Sequence, residues 1–163
     1  MKFIIKEKLI SWNREFYVND KNRSNTFFGK GDLLSLDNRF LIKDFTQQDV
    51  VLVKRKFVWK FWKTDYEIYR EGKLYATIEH AGYLRRRLII HVLGSYNLDV
   101  KTDLFGHRYR FIKEGAVLAT ATAKWFTIAK TYEVDIKEGS DHMLIIASMI
   151  AMLMLSADYS GGR

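Results

Sequence analysis

The side chains best suited to catalysis or metal binding are scattered along the sequence. No two of the four histidines stand at the HExxH spacing of a metal-binding helix, and there is no cysteine to supply a thiolate ligand, a nucleophile or a disulfide. The glycine-rich phosphate loops GxGxxG and GxxxxGK(S/T) do not occur, and neither does the GxSxG motif of serine hydrolases. The sequence therefore predicts a protein that is not an enzyme and needs no metal or cofactor.

A stretch of interleaved basic and aromatic residues indicates binding more clearly than any pattern in the sequence indicates catalysis. Residues 54–63 read KRKFVWKFWK. On a β-strand the odd-numbered aromatic residues would pack inward, while Lys56, Lys60 and Trp62 would point outward. Lysines beside an amphipathic tryptophan suit the headgroup layer of a membrane, and they also suit base stacking on single-stranded nucleic acid. The alternative is an ordinary solvated face in which Trp62 is covered by a neighbouring segment.

A second basic cluster, residues 85–87, follows a predicted turn at Gly82. Three adjacent positive charges near an anionic leaflet could contribute about 1 kcal/mol each. At the edge of a strand, the same charges would serve equally well to prevent aggregation. The candidate ligand-binding residues predicted from the two clusters are Lys54, Arg55, Lys56, Lys60, Trp62, Lys63, Arg85, Arg86 and Arg87.

The overall charge favours the same kind of partner. The chain has 27 Lys and Arg against 19 Asp and Glu, a formal net charge of +8. Such an excess favours contact with polyanions, either an anionic membrane surface or nucleic acid, although it can also serve solubility alone. The N-terminal residues are interrupted by Lys6, Glu7 and Lys8, so they lack the apolar stretch of a secretory signal. The sequence therefore predicts a cytoplasmic protein.

The elements that must position these residues are organised around an apolar segment near the C-terminus. Residues 143–155 read MLIIASMIAMLML, in which Ser148 has the one polar side chain. Leu, Met and Ala favour helix, and a helix that is apolar on every side must be surrounded. At about 1.5 Å per residue this helix is roughly 20 Å long. Crossing a bilayer takes ~20 residues, or about 30 Å, so the helix is too short to span one. We therefore predict a helix over about 141–157, capped by Ser140 or Asp141 and enclosed by the rest of the chain.

The upstream residues have the pattern of a β wall. Short runs rich in β-branched and aromatic residues alternate with turn signals, giving about a dozen strands. Residues 66–77, YEIYREGKLYAT, align without gaps on residues 109–120, YRFIKEGAVLAT, and residues 16–31 form a looser third copy. Repeated hairpins are how closed β architectures are built. The predicted fold class is mainly β, a closed antiparallel barrel of about twelve strands around a central hydrophobic C-terminal α-helix, in a single domain of residues 1–163.

Several segments resemble a known family. The opening FIIKEKLISWNREFYVND, the following FFGKGD, the central YEIYREGKLYATI and the apolar helix led by an acidic residue resemble the LURP-one-related family over essentially the whole chain. That family belongs to the tubby C-terminal-like superfamily, together with the phospholipid scramblases. The resemblance implies a barrel threaded by a C-terminal helix, and relatives that bind phosphoinositides or act at membranes. It carries over no ligand residue, because the binding motif of those relatives does not match this sequence residue by residue.

Three functions are consistent with these observations. The first is binding of anionic phospholipid or a membrane surface through a basic and aromatic outer face, with peripheral contact at the inner membrane face. Scramblase activity is a weaker variant of it, because no segment is long enough to span a bilayer. The second is a protein-interaction scaffold with an unidentified partner. Nucleic-acid binding ranks third, because no recognisable motif for it is present. We expect a monomer.

Overall fold

The structure is a computed structural model that describes residues 1–10, 13–21, 23–32, 39–44, 46, 48–58, 63–81, 87–103, 106–124 and 130–158. These residues form strands and one C-terminal helix, α1, at His142–Asp158. The strands are β1 Lys2–Ile10, β2 Asn13–Asp20, β3 Arg23–Asp32, β4 Arg39–Asp44, β5 Asp49–Val58, β6 Lys63–Arg70, β7 Lys73–Ala81, β8 Arg87–Val92, β9 Asn97–Thr102, β10 Arg108–Lys113, β11 Ala116–Lys124 and β12 Thr131–Ile136.

The strands form a closed antiparallel barrel. Each strand pairs with the next in sequence, and β12 closes the ring by pairing with β1, where Phe3 lies opposite Val134. The predicted fold class is thus confirmed, including the number of strands. Closure satisfies the backbone groups that an open sheet would leave exposed at its edges. What remains for function is the outer wall and the two ends of the barrel.

Alternation along each strand directs the apolar side chains to the lumen. On β4, Phe40 and Ile42 are fully buried, while Leu41 between them lies on the outer side. The ring of Phe40 meets that of Phe16 edge to face at 5.2 Å, and it passes directly over Gly29. A Cβ on Gly29 would lie 2.2 Å from this ring, so glycine is required there for the close approach.

Helix α1 occupies the lumen, one residue later at each end than predicted. Its side chains from Met143 to Met154 are all buried, which explains a helix that is apolar all round. Asp141 caps its start, accepting the N–H of Leu144 at 3.0 Å. The same carboxylate accepts bonds from Arg70 at 2.5 Å and from the Tyr75 hydroxyl at 2.6 Å, which join the cap to the wall.

The far end of the helix is held by a buried arginine. Arg14, on β2, donates to the carbonyl oxygens of Leu153 and Met154, each at 3.3 Å. It also forms an ion pair with Glu7, on β1, and both side chains are at least 95% buried. We call the end of the barrel at Asp141 the upper end, and the end at Arg14 the lower end.

The repeated hairpins predicted from the sequence have the same backbone. In β6–β7 the turn residues Glu71 and Gly72 have φ of 48° and 73°, and in β10–β11 Glu114 and Gly115 have 48° and 83°. Positive φ at both positions is the type I′ pattern of two-residue hairpins. In both hairpins the strand register also shifts at the same place, between the residues that stand three and two positions before the turn. The looser third copy is hairpin β2–β3, so the three copies begin at every fourth strand of the ring.

Candidate anion-binding site

The predicted basic stretch lies only partly within the described residues. On β5, Val51 and Val53 face the lumen, so Lys54 and Lys56 point outward whereas Arg55 belongs to the inward set and is half-buried. The structure therefore separates Arg55 from the two lysines with which it was grouped. Lys60, Trp62, Arg85 and Arg86 lie outside the described residues, and of Lys63 only the backbone, at the start of β6, is described.

The two outward lysines already have partners on β6. The ammonium of Lys56 lies 3.1 Å from Glu67 Oε1, and that of Lys54 lies 4.9 Å from the centre of the Tyr69 ring. Burial alone would raise the pKa of Glu67, but hydrogen bonds from Lys56 and Tyr69 outweigh it and hold that pKa below its ordinary value. Glu67 thus stays ionised and neutralises Lys56.

A recess of about 400 Å³ lies beside these lysines, on the outer face of β4 to β6. Its walls include the outward apolar residues Leu41 and Leu52, and its charged residues are Lys54, Asp49 and Glu71. Two carboxylates against one ammonium give no surplus of positive charge. The recess next to the predicted stretch is consequently poorly suited to an anion.

Arg87 is the member of the second cluster that the structure describes. It is exposed on β8 and donates to both carboxylate oxygens of Asp99, at 2.8 and 2.9 Å. A bidentate pair of this kind uses the donors that an anionic ligand would need. Arg87 is therefore neutralised locally, as Lys56 is.

A larger cavity, which the sequence did not reveal, lies on the outer face of β9 to β11 towards the lower end. Its volume is about 520 Å³, and we call it the cationic cavity. The residues that line it are Lys101, Thr102, Asp103, His107, Arg108, Arg110 and Thr122. The three cations among them are Lys101, Arg108 and Arg110. All three are exposed, and none of them forms an ion pair with any residue of the described ranges. The cavity therefore combines open access with positive charge that is not neutralised.

Strand register brings these cations together. Arg110 lies directly opposite Lys101, and Lys101 lies directly opposite Arg87, so three basic residues form one row across β8, β9 and β10. Arg108 stands two residues before Arg110 on the same face, opposite Thr122. Like charges directly opposite each other destabilise a sheet. An anion bound between them would relieve this repulsion.

The single carboxylate of the cavity is engaged in the turn beside it. Asp103 accepts the backbone N–H of His107 at 2.7 Å through Oδ1, and the Asp103 N–H bonds the carbonyl of Arg108 at 3.2 Å. This carboxylate therefore fixes the turn that leads into β10. Among the described residues that line the cavity, three cations against one carboxylate leave a surplus of two positive charges.

Among the residues that the structure describes, His, Asp and Glu side chains do not gather in the groups of three that would hold a metal ion. The described portion also has no helix that combines the length and the apolar character needed to span a membrane.

Comparison with known proteins identifies the family. A family model described as LURP-one-related matches residues 1–153. The uncharacterized protein YxjI of Bacillus subtilis is 20% identical over 156 residues, covering 95% of this chain and 93% of that protein. A protein of Arabidopsis thaliana with an X-ray structure shares the fold, with a TM-score of 0.70 at 14% identity, over 95% of this chain and 91% of that one. The chain thus belongs to the LURP-one-related family.

Proposed function

We propose that this domain is non-enzymatic and binds the anionic phospholipid surface of a membrane through the cationic cavity. The observation that carries the proposal is the group of three exposed cations, Lys101, Arg108 and Arg110, without an acidic partner in the described chain. None of these three was among the predicted ligands; the predicted ones whose side chains the structure describes, Lys54, Arg55, Lys56 and Arg87, are stacked, turned inward or paired. We therefore expect an anion to bind most favourably on the outer face of β9 to β11.

The expected strength of binding follows from the number of charges. A Lys or Arg held near an anionic leaflet contributes about 1 kcal/mol, so three contribute about 3 kcal/mol. This free energy corresponds to slightly more than a hundredfold in affinity. Salt screens the electrostatic attraction, with a Debye length of about 10 Å at 0.1 M. Such binding is reversible, as suits a peripheral protein. We place it at the cytoplasmic leaflet, which is the anionic one in most cells, with the domain acting as a monomer.

Co-sedimentation with vesicles tests this proposal. The wild type should bind vesicles of phosphatidylcholine containing phosphatidylserine, and should be released as salt is raised. Replacing Lys101, Arg108 and Arg110 by Gln should weaken binding by about a hundredfold, because about 3 kcal/mol of attraction is removed. The side chains point outward, so circular dichroism should show an intact fold.

The triple variant Lys21→Gln, Lys73→Gln and Lys137→Gln is the matched control, because it also removes three positive charges. All three lysines are exposed at the upper end, away from the cavity. This variant should bind as the wild type does. Equal loss in both variants would mean that only net charge matters, and binding that is absent or indifferent to salt would overturn the proposal.

A second candidate, a protein-interaction scaffold, is favoured by one observation. The large hydrophobic residues that are exposed in the described part of the chain, Met1, Leu74, Leu93 and Val117, all lie at the upper end. Leu74 and Leu93 are neighbours there, because the Leu93 N–H bonds the carbonyl of Tyr75 at 3.1 Å, and exposed apolar neighbours are typical of protein contacts. Absence of vesicle binding, together with a copurifying protein that is lost on Leu93→Asp and Val117→Asp, would favour this candidate instead.

A further inference from the structure

We infer that the cationic cavity recognises a phosphate monoester, the doubly charged phosphate group found on a headgroup such as that of phosphatidic acid, rather than anionic charge in general. This inference rests on the membrane binding proposed above and concerns the same cavity. It goes further by stating which anion fits. The argument depends on the type of the donors, the surplus charge and the volume.

The donors are two guanidinium groups and one ammonium group. Arg108 and Arg110 are successive outward residues of β10, about 6.6 Å apart along the strand, and both line the same cavity. A guanidinium presents a planar fork of N–H groups that matches two phosphate oxygens, whereas an ammonium acts as a point charge. Two forks beside Lys101 therefore suit a group with several terminal oxygens.

The number of terminal oxygens separates a phosphate monoester from a diester. A monoester has three terminal oxygens, so the two forks can each engage a pair of them by sharing one oxygen, and the shared oxygen can also face the ammonium of Lys101. A diester, as in phosphatidylserine, has two terminal oxygens and cannot occupy both forks fully. The hydroxyl of Thr122, opposite Arg108 in the cavity wall, adds one more donor.

The surplus charge supports the same choice. Of the lining residues that the structure describes, three cations against the Asp103 carboxylate leave two positive charges. A phosphate monoester carries about −1.5 to −2 at pH 7, which compensates this surplus almost completely. A diester carries a single negative charge and would leave the repulsion between Lys101 and Arg110 partly in place.

The cavity is larger than a bare phosphate needs. At about 520 Å³ the cavity lies in the range of roughly 300–1,000 Å³ that small-molecule sites occupy. A water molecule takes about 30 Å³ of liquid volume, so a lone phosphate would leave most of the cavity to solvent. A phosphate monoester that carries a glycerol backbone fills more of it.

Vesicles of matched surface potential provide the test. Phosphatidylcholine vesicles containing either phosphatidic acid or phosphatidylserine are adjusted to the same zeta potential, and binding is measured by co-sedimentation. The wild type should bind the phosphatidic acid vesicles about tenfold more tightly, the effect expected of a bidentate contact that the other lipid cannot complete. The double variant Arg108→Lys with Arg110→Lys keeps the charge but removes both forks. It should bind the two kinds of vesicle within about twofold of each other while retaining its binding to phosphatidylserine.

Arg87→Lys is the control, because it is the same change at an exposed arginine outside the cavity, and it should keep the tenfold preference. Equal binding of the wild type to both vesicles, or a preference that survives in the double variant, would overturn the inference and leave membrane binding intact. No binding to either kind of vesicle would overturn the proposed function and the inference with it. Competition with glycerol 3-phosphate distinguishes a soluble phosphate monoester from a lipid. If it displaces the protein from vesicles at micromolar concentration, the cavity binds a soluble monoester and the lipid assignment is overturned. Displacement only at millimolar concentration would support the lipid.

Discussion

Arg14 and Glu7 illustrate at the scale of single residues how the lower end of the barrel is held. Their ion pair is buried, and the arginine also binds the carbonyl groups of Leu153 and Met154 near the C-terminal end of the helix. A cation near that end interacts favourably with the helix dipole. One side chain thus connects β1, β2 and α1.

Removal of Arg14 should be costly. We expect Arg14→Ala to lower the free energy of unfolding by about 3–5 kcal/mol, because it leaves the Glu7 carboxylate buried without its partner. Urea denaturation would measure this. Lys2→Ala, which removes the exposed ion pair with Asp135, should cost less than about 1 kcal/mol and serves as the control. Similar costs for the two variants would show that the buried pair does not secure the helix.

Single positions were the part of the structure least accessible from the sequence. The outward direction of Lys54 and Lys56 follows from alternation with Val51 and Val53 on β5. Their neutralisation does not, because Glu67 stands on the next strand and its position depends on register. The opposition of Lys101 and Arg110 depends on register in the same way. Arg14 also gives no local signal, since an arginine between strand residues is ordinarily exposed.

At the scale of the elements, helix α1 is fixed at its start by the Asp141 network. Burial would raise the pKa of Asp141, but hydrogen bonds from Arg70, Tyr75 and the Leu144 N–H outweigh it and hold that pKa below its ordinary value. Burial, and the hydrogen bond to Asp141, in turn raise the pKa of Tyr75 to about 12. The cap is therefore a carboxylate at neutral pH, with its donors protonated.

Asp141 should make stability depend on pH in the acid range. Its pKa is lower in the folded than in the unfolded protein, so the unfolded chain takes up a proton first as pH falls. The stabilisation is present above the ordinary pKa near 4 and is lost as pH falls through the folded value. Asp141→Asn keeps a capping oxygen but loses the charge of the carboxylate that binds Arg70 and Tyr75. We expect it to cost about 1–2 kcal/mol at pH 7 and progressively less below pH 4, measured by urea denaturation at several pH values. A cost that does not change with pH would contradict the role of the ionised cap.

The elements themselves could be predicted almost completely. An apolar helix too short to cross a bilayer requires a wall, and the repeated hairpins supply one. Their turns form as expected because Gly72 and Gly115 adopt positive φ. The cap at Asp141 was also among the two residues predicted, but its link to Arg70 and Tyr75, some 70 residues earlier, depends on the closed ring and has no signature in the sequence.

At the scale of the whole molecule, the interior of the barrel is filled and the outer wall is available for binding. Positive charge on that wall is neutralised unevenly. Lys56 and Arg87 are paired with acidic residues, whereas the three cations of the cationic cavity form no ion pair within the described part of the chain. Net charge predicts an anionic partner without locating where it binds. Location depends on which acids each strand places beside its cations, and closure of the barrel determines that.

Site-specific labelling tests the location of membrane binding most directly, and the absence of cysteine from the chain makes single labels possible. A polarity-sensitive fluorophore would be attached to cysteine placed at Thr122 in the cationic cavity, at Lys54 on β5, or at Lys137 at the upper end. On addition of phosphatidylserine vesicles, we expect the emission of the label at position 122 to rise and shift to the blue, while the other two change little. A response at position 54 or 137 with none at 122 would contradict the account.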